Sequence, residues 1–172
     1  KKADMAMYQA KAFGRNNVTL YSEEIGERNR QRLSLERDLA RALECNELTV
    51  HYQPKVDLQT QRIVGAEALL RWHHPQRGSV SPADFIPLAE ESGLIVPIGH
   101  WVLQQVCMQL ARWQTQDFDP VPIAVNISAR QLACGDLVAT VRHCLQASDI
   151  SSDFIQLELT ESVLMNDTGL AV

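Results

Sequence analysis

The chain has 172 residues, 45% of them hydrophobic, and a formal net charge of −5. This is an ordinary globular composition at about one domain's length. The acidic total removes any electrostatic case for duplex nucleic acid as a partner, DNA or RNA. A compact anionic ligand stays open, because local geometry binds such ligands. No window approaches the roughly 18 consecutive apolar residues of a membrane span, and there is no signal-peptide pattern. Cys45, Cys107, Cys134 and Cys144 form no CxxC pair and no zinc-finger spacing with histidines. Reduced, mostly buried thiols and a cytoplasmic location are therefore expected.

The opening "ADMAMYQAKAFGRN" places Met5, Tyr8 and Ala12 at helical spacing, with Gly14 as a stop. "VTLY" reads as a short strand. One helix and one strand cannot form a core, so this segment is expected to be the tail of a domain whose body lies upstream; Lys11 and Arg15 read as solvated. In "IGERNRQRLSLERDLARALECNE", Leu35, Leu39 and Leu43 recur every four residues between charges of both signs. This predicts an amphipathic helix whose start, residues 26–32, is a stiff connector.

"LTVHYQPKVDL" is a strand interrupted by Pro54, and the turn "QTQR" leads to a neighbouring strand, "IVGAEALLRW". "HHPQRGSVSP" reads as a loop decorated by His73 and His74. Ser81 and Pro82 open a helix as N-cap and first-turn residues, Pro87 makes it irregular, and Gly93 ends it. A longer helix follows over 97–114, with Ile98, Val102, Val106, Leu110 and Trp113 on its buried stripe; Trp101 and Trp113 read as core. "VPIAVNIS" is a third strand, "RQLACGDLVATVRHCLQAS" a helix broken near Gly135, and "DFIQLELTES" a fourth strand. "VLMNDTGLAV" begins another helix. Strands alternating with helices argue for a parallel α/β sheet.

Side chains alternate faces along a strand. Glu67, Leu69 and Arg71 share one face of the second strand, and Ala66, Ala68, Leu70 and Trp72 the other. Asn126 and Ser128 oppose Ile123, Val125 and Ile127; Gln156, Glu158 and Thr160 oppose Ile155, Leu157 and Leu159. An antiparallel sheet with one face in water gives the same alternation. The intervening helices favour crossovers that cover a parallel sheet and leave the polar face inside a barrel or crevice. Glu67, Asn126 and Glu158 would then converge near the strands' carboxyl ends, where such folds bind ligands. Two carboxylates and an amide oxygen suit Mg²⁺ or Mn²⁺, and Arg71 offers a fork for a phosphate.

"EALLRW", "VNIS" and "ELTES", with "YQP" upstream and "FIPLAEESG" between, resemble the EAL domain family, whose characterised members are cyclic-di-GMP phosphodiesterases. The opening "ADMAMYQAKAFGRNNVTLY" is similar to the last helix and strand of a GGDEF (diguanylate cyclase) domain. The resemblance implies residues 1–22 as a GGDEF remnant, 23–32 as a helical linker, and 33–172 as the N-terminal part of an EAL domain. It implies a (β/α)₈ TIM-like barrel with an altered first strand, and hydrolysis of cyclic-di-GMP to linear pGpG by a two-metal mechanism with Mg²⁺ or Mn²⁺. Carried over by motif, Glu67, Asn126 and Glu158 are metal ligands. Gln53, Leu70 and Arg71 bind substrate, Arg71 through a phosphate with backbone support from Leu70, and Glu161 steadies a loop. From the residues alone, Gln53 also reads as a strand end and Glu161 as a first-turn helix carboxylate, while Ser128 reads as a local hydrogen-bonding hydroxyl rather than a ligand.

The family's downstream DDFG-type motif and lysine do not occur in these residues, nor does the GGDEF signature. The expectation is a fragment of a longer parent, inactive by itself, with no catalytic residue beyond the metal ligands. Its four open strands would expose edges and apolar surface. The implied parent is a homodimer through its EAL domain, tethered to GGDEF and sensory domains, with upstream segments that could anchor it in a membrane. The other reading is a degenerate, non-catalytic cyclic-di-GMP receptor or a signalling scaffold.

Overall fold

The computed structural model describes residues 23–116, 120–134 and 136–159. The chain divides into two compact units, residues 1–41 and 42–172. In the first, helix α1 (Glu23–Ala42) runs unbroken through residues 26–32. Its surface carries an Arg30–Glu27 ion pair at 2.6 Å, one turn apart, which holds the Glu27 carboxyl below its ordinary range. The predicted GGDEF remnant, Glu161 and the final helix lie outside the described residues.

The second unit contains one mixed sheet. Its strands are β1 (Leu48–Val56), β2 (Ile63–His74), β3 (Gly78–Val80), β4 (Ile123–Ile127) and β5 (Ile155–Leu159). Helices α2 (Pro82–Ser92) and α3 (Ile95–Thr115) separate β3 from β4. Helices α4 (Ala129–Cys134) and α5 (Leu137–Ser148) separate β4 from β5. The strand order is β1-β2-β4-β5, with β3 also pairing β2. β1 runs antiparallel to β2, whereas β2, β4 and β5 are parallel. This is part of an α/β barrel whose first strand is reversed. Pro54 does not end β1, because an outer strand can leave one N–H position unpaired.

The turn between β1 and β2 is fixed by Asp57, whose Oδ1 accepts from the Gln59 and Thr60 amides and the Thr60 hydroxyl. The segment expected to be a loop after β2 is a short hairpin. His73 and His74 belong to β2, pairing with Ser79 and Gly78. His74 is buried, and its Nδ1 accepts the Gln76 and Arg77 amides, so it shapes the turn.

The outer face of the sheet packs on the helices. Trp72 is fully buried, edge-on to Phe85 at 5.6 Å, and its indole donates to Glu47 at 2.9 Å. Ile98, Val102, Val106 and Leu110 are buried on α3, as their spacing predicts. Trp101 and Trp113 are only half-buried; Trp113 meets Tyr52 edge-on at 5.3 Å. That contact and its surroundings desolvate Tyr52, whose phenol is pushed up to about 12. Two of the four cysteines are exposed, Cys45 and Cys134, which corrects the expectation of mostly buried thiols. Leu157 and Leu159, on the outer face of β5, are exposed.

Helix ends follow local chemistry. Ser81 is the N-cap before Pro82, with extended backbone, but its hydroxyl makes no capping bond; its carbonyl accepts the first helical bonds, from Asp84 and Phe85. Gly93 closes α2 at φ 86°, a left-handed conformation that favours glycine. Arg130 donates to the Glu90 and Glu91 carbonyls at 2.6 and 2.9 Å, tying the end of α2 to the exit of β4. No single helix among the described residues is long and apolar enough to cross a membrane.

Candidate functional site

Strand register decides which polar side chains meet. Gln53 on β1 lies directly opposite Glu67 on β2. Glu67 pairs with Ala124 across the parallel β2–β4 ladder, and Asn126, two residues on, pairs with Glu158 of β5. Gln53, Glu67, Asn126 and Glu158 therefore share one face, opposite the buried Ala66, Ala68, Trp72, Ile123, Val125 and Ile127. The alternation seen in the sequence is real. The parallel β2–β4–β5 core makes its polar side a barrel interior.

The Asn126 amide nitrogen donates to Glu67 Oε1 at 2.7 Å. This leaves the amide oxygen as the atom suited to a cation. Glu158 accepts a 2.6 Å ion pair from Lys55 Nζ. Lys55 lies on the same face, two residues beyond Gln53, a position that period-two counting from Gln53 would have found. β1 and β5 are separated by three strand spacings, about 14 Å in a flat sheet. An ion pair between them requires the sheet to curl towards this face, with both side chains leaning inward.

Arg71 is half-buried on the same face, but four residues past Glu67 and so about 13 Å further along β2. Its guanidinium donates to the Leu70 carbonyl at 2.9 Å, so Leu70 contributes backbone while its side chain points to the outer face. His51 and His73 stand on Arg71's side of the sheet, with ring centroids 6.3 Å apart. The structure thus brings Gln53, Glu67, Asn126 and Glu158 together and holds Arg71 apart, towards the carboxyl end of β2.

The turn leaving β4 is built by a capping box. Ser128 Oγ accepts the Gln131 amide at 3.3 Å, and Gln131 Oε1 accepts the Ser128 amide at 3.1 Å. Ser128 is therefore a local capping hydroxyl. Both residues are buried. Gly99 in α3 makes this possible, because a β-carbon there would lie 2.7 Å from Gln131 Cδ. The S-x-x-Q signature was present in the sequence; the close approach of Gly99 was not.

The donor chemistry fits a hard divalent cation. Glu67 and Glu158 offer carboxylate oxygens, Asn126 an amide oxygen, and all three project from neighbouring parallel strands. Among the described residues no three His, Cys, Asp or Glu side chains cluster as a metal site.

The EAL domain model matches residues 36–171. A bifunctional diguanylate cyclase/cyclic di-GMP phosphodiesterase, MucR of Pseudomonas aeruginosa, is 44% identical over 170 residues, 99% of this chain and 25% of its own length. The cyclic di-GMP phosphodiesterase PdeR of Escherichia coli is 42% identical over 172 residues, 100% of this chain and 26% of its own. This chain thus spans about a quarter of these curated relatives. Among solved structures, the PaMucR phosphodiesterase–c-di-GMP complex superimposes with a TM-score of 0.74 at 46% identity, covering 78% of this chain and 55% of that one. The EAL enzyme Bd1971 with cAMP and cyclic-di-GMP bound gives 0.75 at 31% identity, covering 99% and 46%. The matched segment contains β1 to β5 and every strand residue on the interior face, and the chain belongs to the EAL domain family.

Proposed function

We propose that this chain is part of a cyclic-di-GMP phosphodiesterase, which hydrolyses one phosphodiester bond of the cyclic dinucleotide and releases linear pGpG. The observation that carries this reading is the convergence of Glu67, Asn126 and Glu158 on the interior face, with Asn126 bonded to Glu67 at 2.7 Å. The names of the relatives and the bound ligands of the solved neighbours support the substrate.

In this proposal Glu67, Asn126 and Glu158 hold Mg²⁺ or Mn²⁺. Bound divalent ions of this kind neutralise phosphate charge and lower the pKa of a coordinated water. Arg71, nearer the strand ends, takes a phosphate through its planar fork, and its bond to the Leu70 carbonyl pre-orients it. Gln53 sits opposite Glu67 and lines the same face. Glu161 is assigned to steadying a neighbouring loop. Because these residues cover 55% of the solved PaMucR phosphodiesterase chain, the complete reaction is assigned to the full-length protein, and this segment alone is expected not to turn over. Dimerisation through the EAL domain and tethering to a GGDEF module belong to the same proposal.

The test is to incubate the full-length protein with cyclic-di-GMP and resolve the products by chromatography, with Mg²⁺, with Mn²⁺ and with a chelator. Metal-dependent accumulation of pGpG is the expected result. Binding of cyclic-di-GMP without turnover under any metal condition would replace the enzyme by a receptor.

A further inference from the structure

The interior face carries a cation of its own. Lys55 reaches across from β1 to β5 and places its ammonium 2.6 Å from Glu158 Oε1. Its opposite number in the β1–β2 ladder is Gly65. With no side chain there, nothing from β2 stands between Lys55 and the interior. The two carboxylates on this face are held by different donors, Glu67 by the Asn126 amide and Glu158 by Lys55. The Asn126 bond leaves the amide oxygen and the second Glu67 oxygen open to a cation, whereas a divalent ion taken at Glu158 Oε1 competes with the Lys55 ammonium for that oxygen.

We propose that Lys55 is a positioning residue that stands in for the divalent cation at Glu158, holding the carboxylate over the interior until the metal displaces it. This rests on the metal reading of Glu67, Asn126 and Glu158 given above. The Lys55 and Glu158 side chains are each 42% exposed. An ion pair in such a setting is weak enough to exchange, because water screens it and both side chains lose freedom in forming it. It is still strong enough to matter to two carboxylates on one concave surface, whose mutual repulsion it lowers. A divalent ion with an oxygen donor set outcompetes a single ammonium, which makes no coordinate bonds. Lys55 therefore supports the metal-free geometry and competes with metal binding.

The two roles give opposite signs. A lysine that only braced the fold would, on removal, misplace Glu158 and weaken metal binding. A lysine that occupies the cation's place would, on removal, leave Glu158 unpaired and tighten it. Calorimetric Mn²⁺ titration of the full-length protein, in the absence of nucleotide, reads this directly. Lys55→Met is expected to bind Mn²⁺ about fivefold more tightly than the wild type, the scale of a lost half-exposed ion pair. Lys55→Arg, which keeps the charge, should stay within about twofold. Glu158→Gln should bind much more weakly and set the background from any other site. Adding Lys55→Met to it should then restore nothing. In chelator, Lys55→Met should melt below the wild type and gain more from added Mn²⁺. Should Lys55→Met not fold, Lys55→Gln takes its place. Unchanged or weaker Mn²⁺ affinity in the neutral variants, with Glu158→Gln still impaired, overturns the role of Lys55 alone. Full Mn²⁺ affinity in Glu158→Gln overturns the metal reading and this proposal with it.

Discussion

The two faces of strand β2 are built from one run of sequence and follow opposite rules. Ala66, Ala68 and Trp72 are buried beneath the helices, with Trp72 sealed by Phe85 and bonded to Glu47. One residue out of phase, Glu67, Leu69 and Arg71 face a concave interior, half-exposed, their polar groups engaged by Asn126 and by backbone. The outer face uses its residues for stability. The inner face presents Glu67 half-exposed and holds Arg71 apart, towards the carboxyl end of β2, so these polar groups add little to the core. Substitutions on the two faces should therefore separate folding from function.

The largest effect belongs to the outer face. Trp72→Ala should cost about 3–5 kcal/mol of stability, read by denaturant unfolding, because it empties a fully buried site and strands Glu47. Equal loss of activity in the folded fraction would blur the contrast between faces. Next comes the inner face: Arg71→Ala should weaken cyclic-di-GMP binding by about tenfold or more while moving the melting temperature little. Gly99→Ala lies between the faces. It pushes on Gln131 and should cost about 1–3 kcal/mol by opening the capping box that follows Asn126. Removing the Arg130 bonds to the end of α2, as Arg130→Ala, should cost about 1 kcal/mol by thermal unfolding.

A separate effect is alkaline. Burial pushes the Tyr52 phenol from 10.0 up to about 12 and the Cys107 thiol from 9.0 up to about 11. Both groups stay neutral in the fold while the unfolded chain loses their protons. The stability they contribute is therefore complete below pH 9.0 and is lost as the pH rises through about 11 and then about 12. Cys107 and Cys144 should accordingly react slowly with thiol reagents at neutral pH, and Cys45 and Cys134 quickly. Fast labelling of all four would contradict the burial of Cys107 and Cys144.

Much of this was legible in the sequence because the period of two is short-range. Counting along "AEALLRW", "VNIS" and "QLEL" assigns each residue to a face without knowing the fold. Which face turned inward needed the parallel pairing of β2 with β4 and β5, and that follows from the helices between them. The hairpin at Gly78–Val80 escaped because three residues carry no usable period, and His74 gave no sign that its ring would bind the turn. Lys55 has the parity of the interior face, but its partner lies 103 residues away in the chain and leaves no local signal. The clearance above Gly99 depends on two helices packing and leaves no local trace.

The central claim is that the interior face carries chemistry and not stability. Glu67→Gln in the full-length protein tests it most directly, with cyclic-di-GMP turnover in Mg²⁺ and the melting temperature in chelator measured on the same sample. The account predicts turnover down by about 100-fold or more, the scale of losing one preorganised charge-stabilising group, with the melting temperature almost unchanged. Undiminished production of pGpG by a folded Glu67→Gln protein would contradict it.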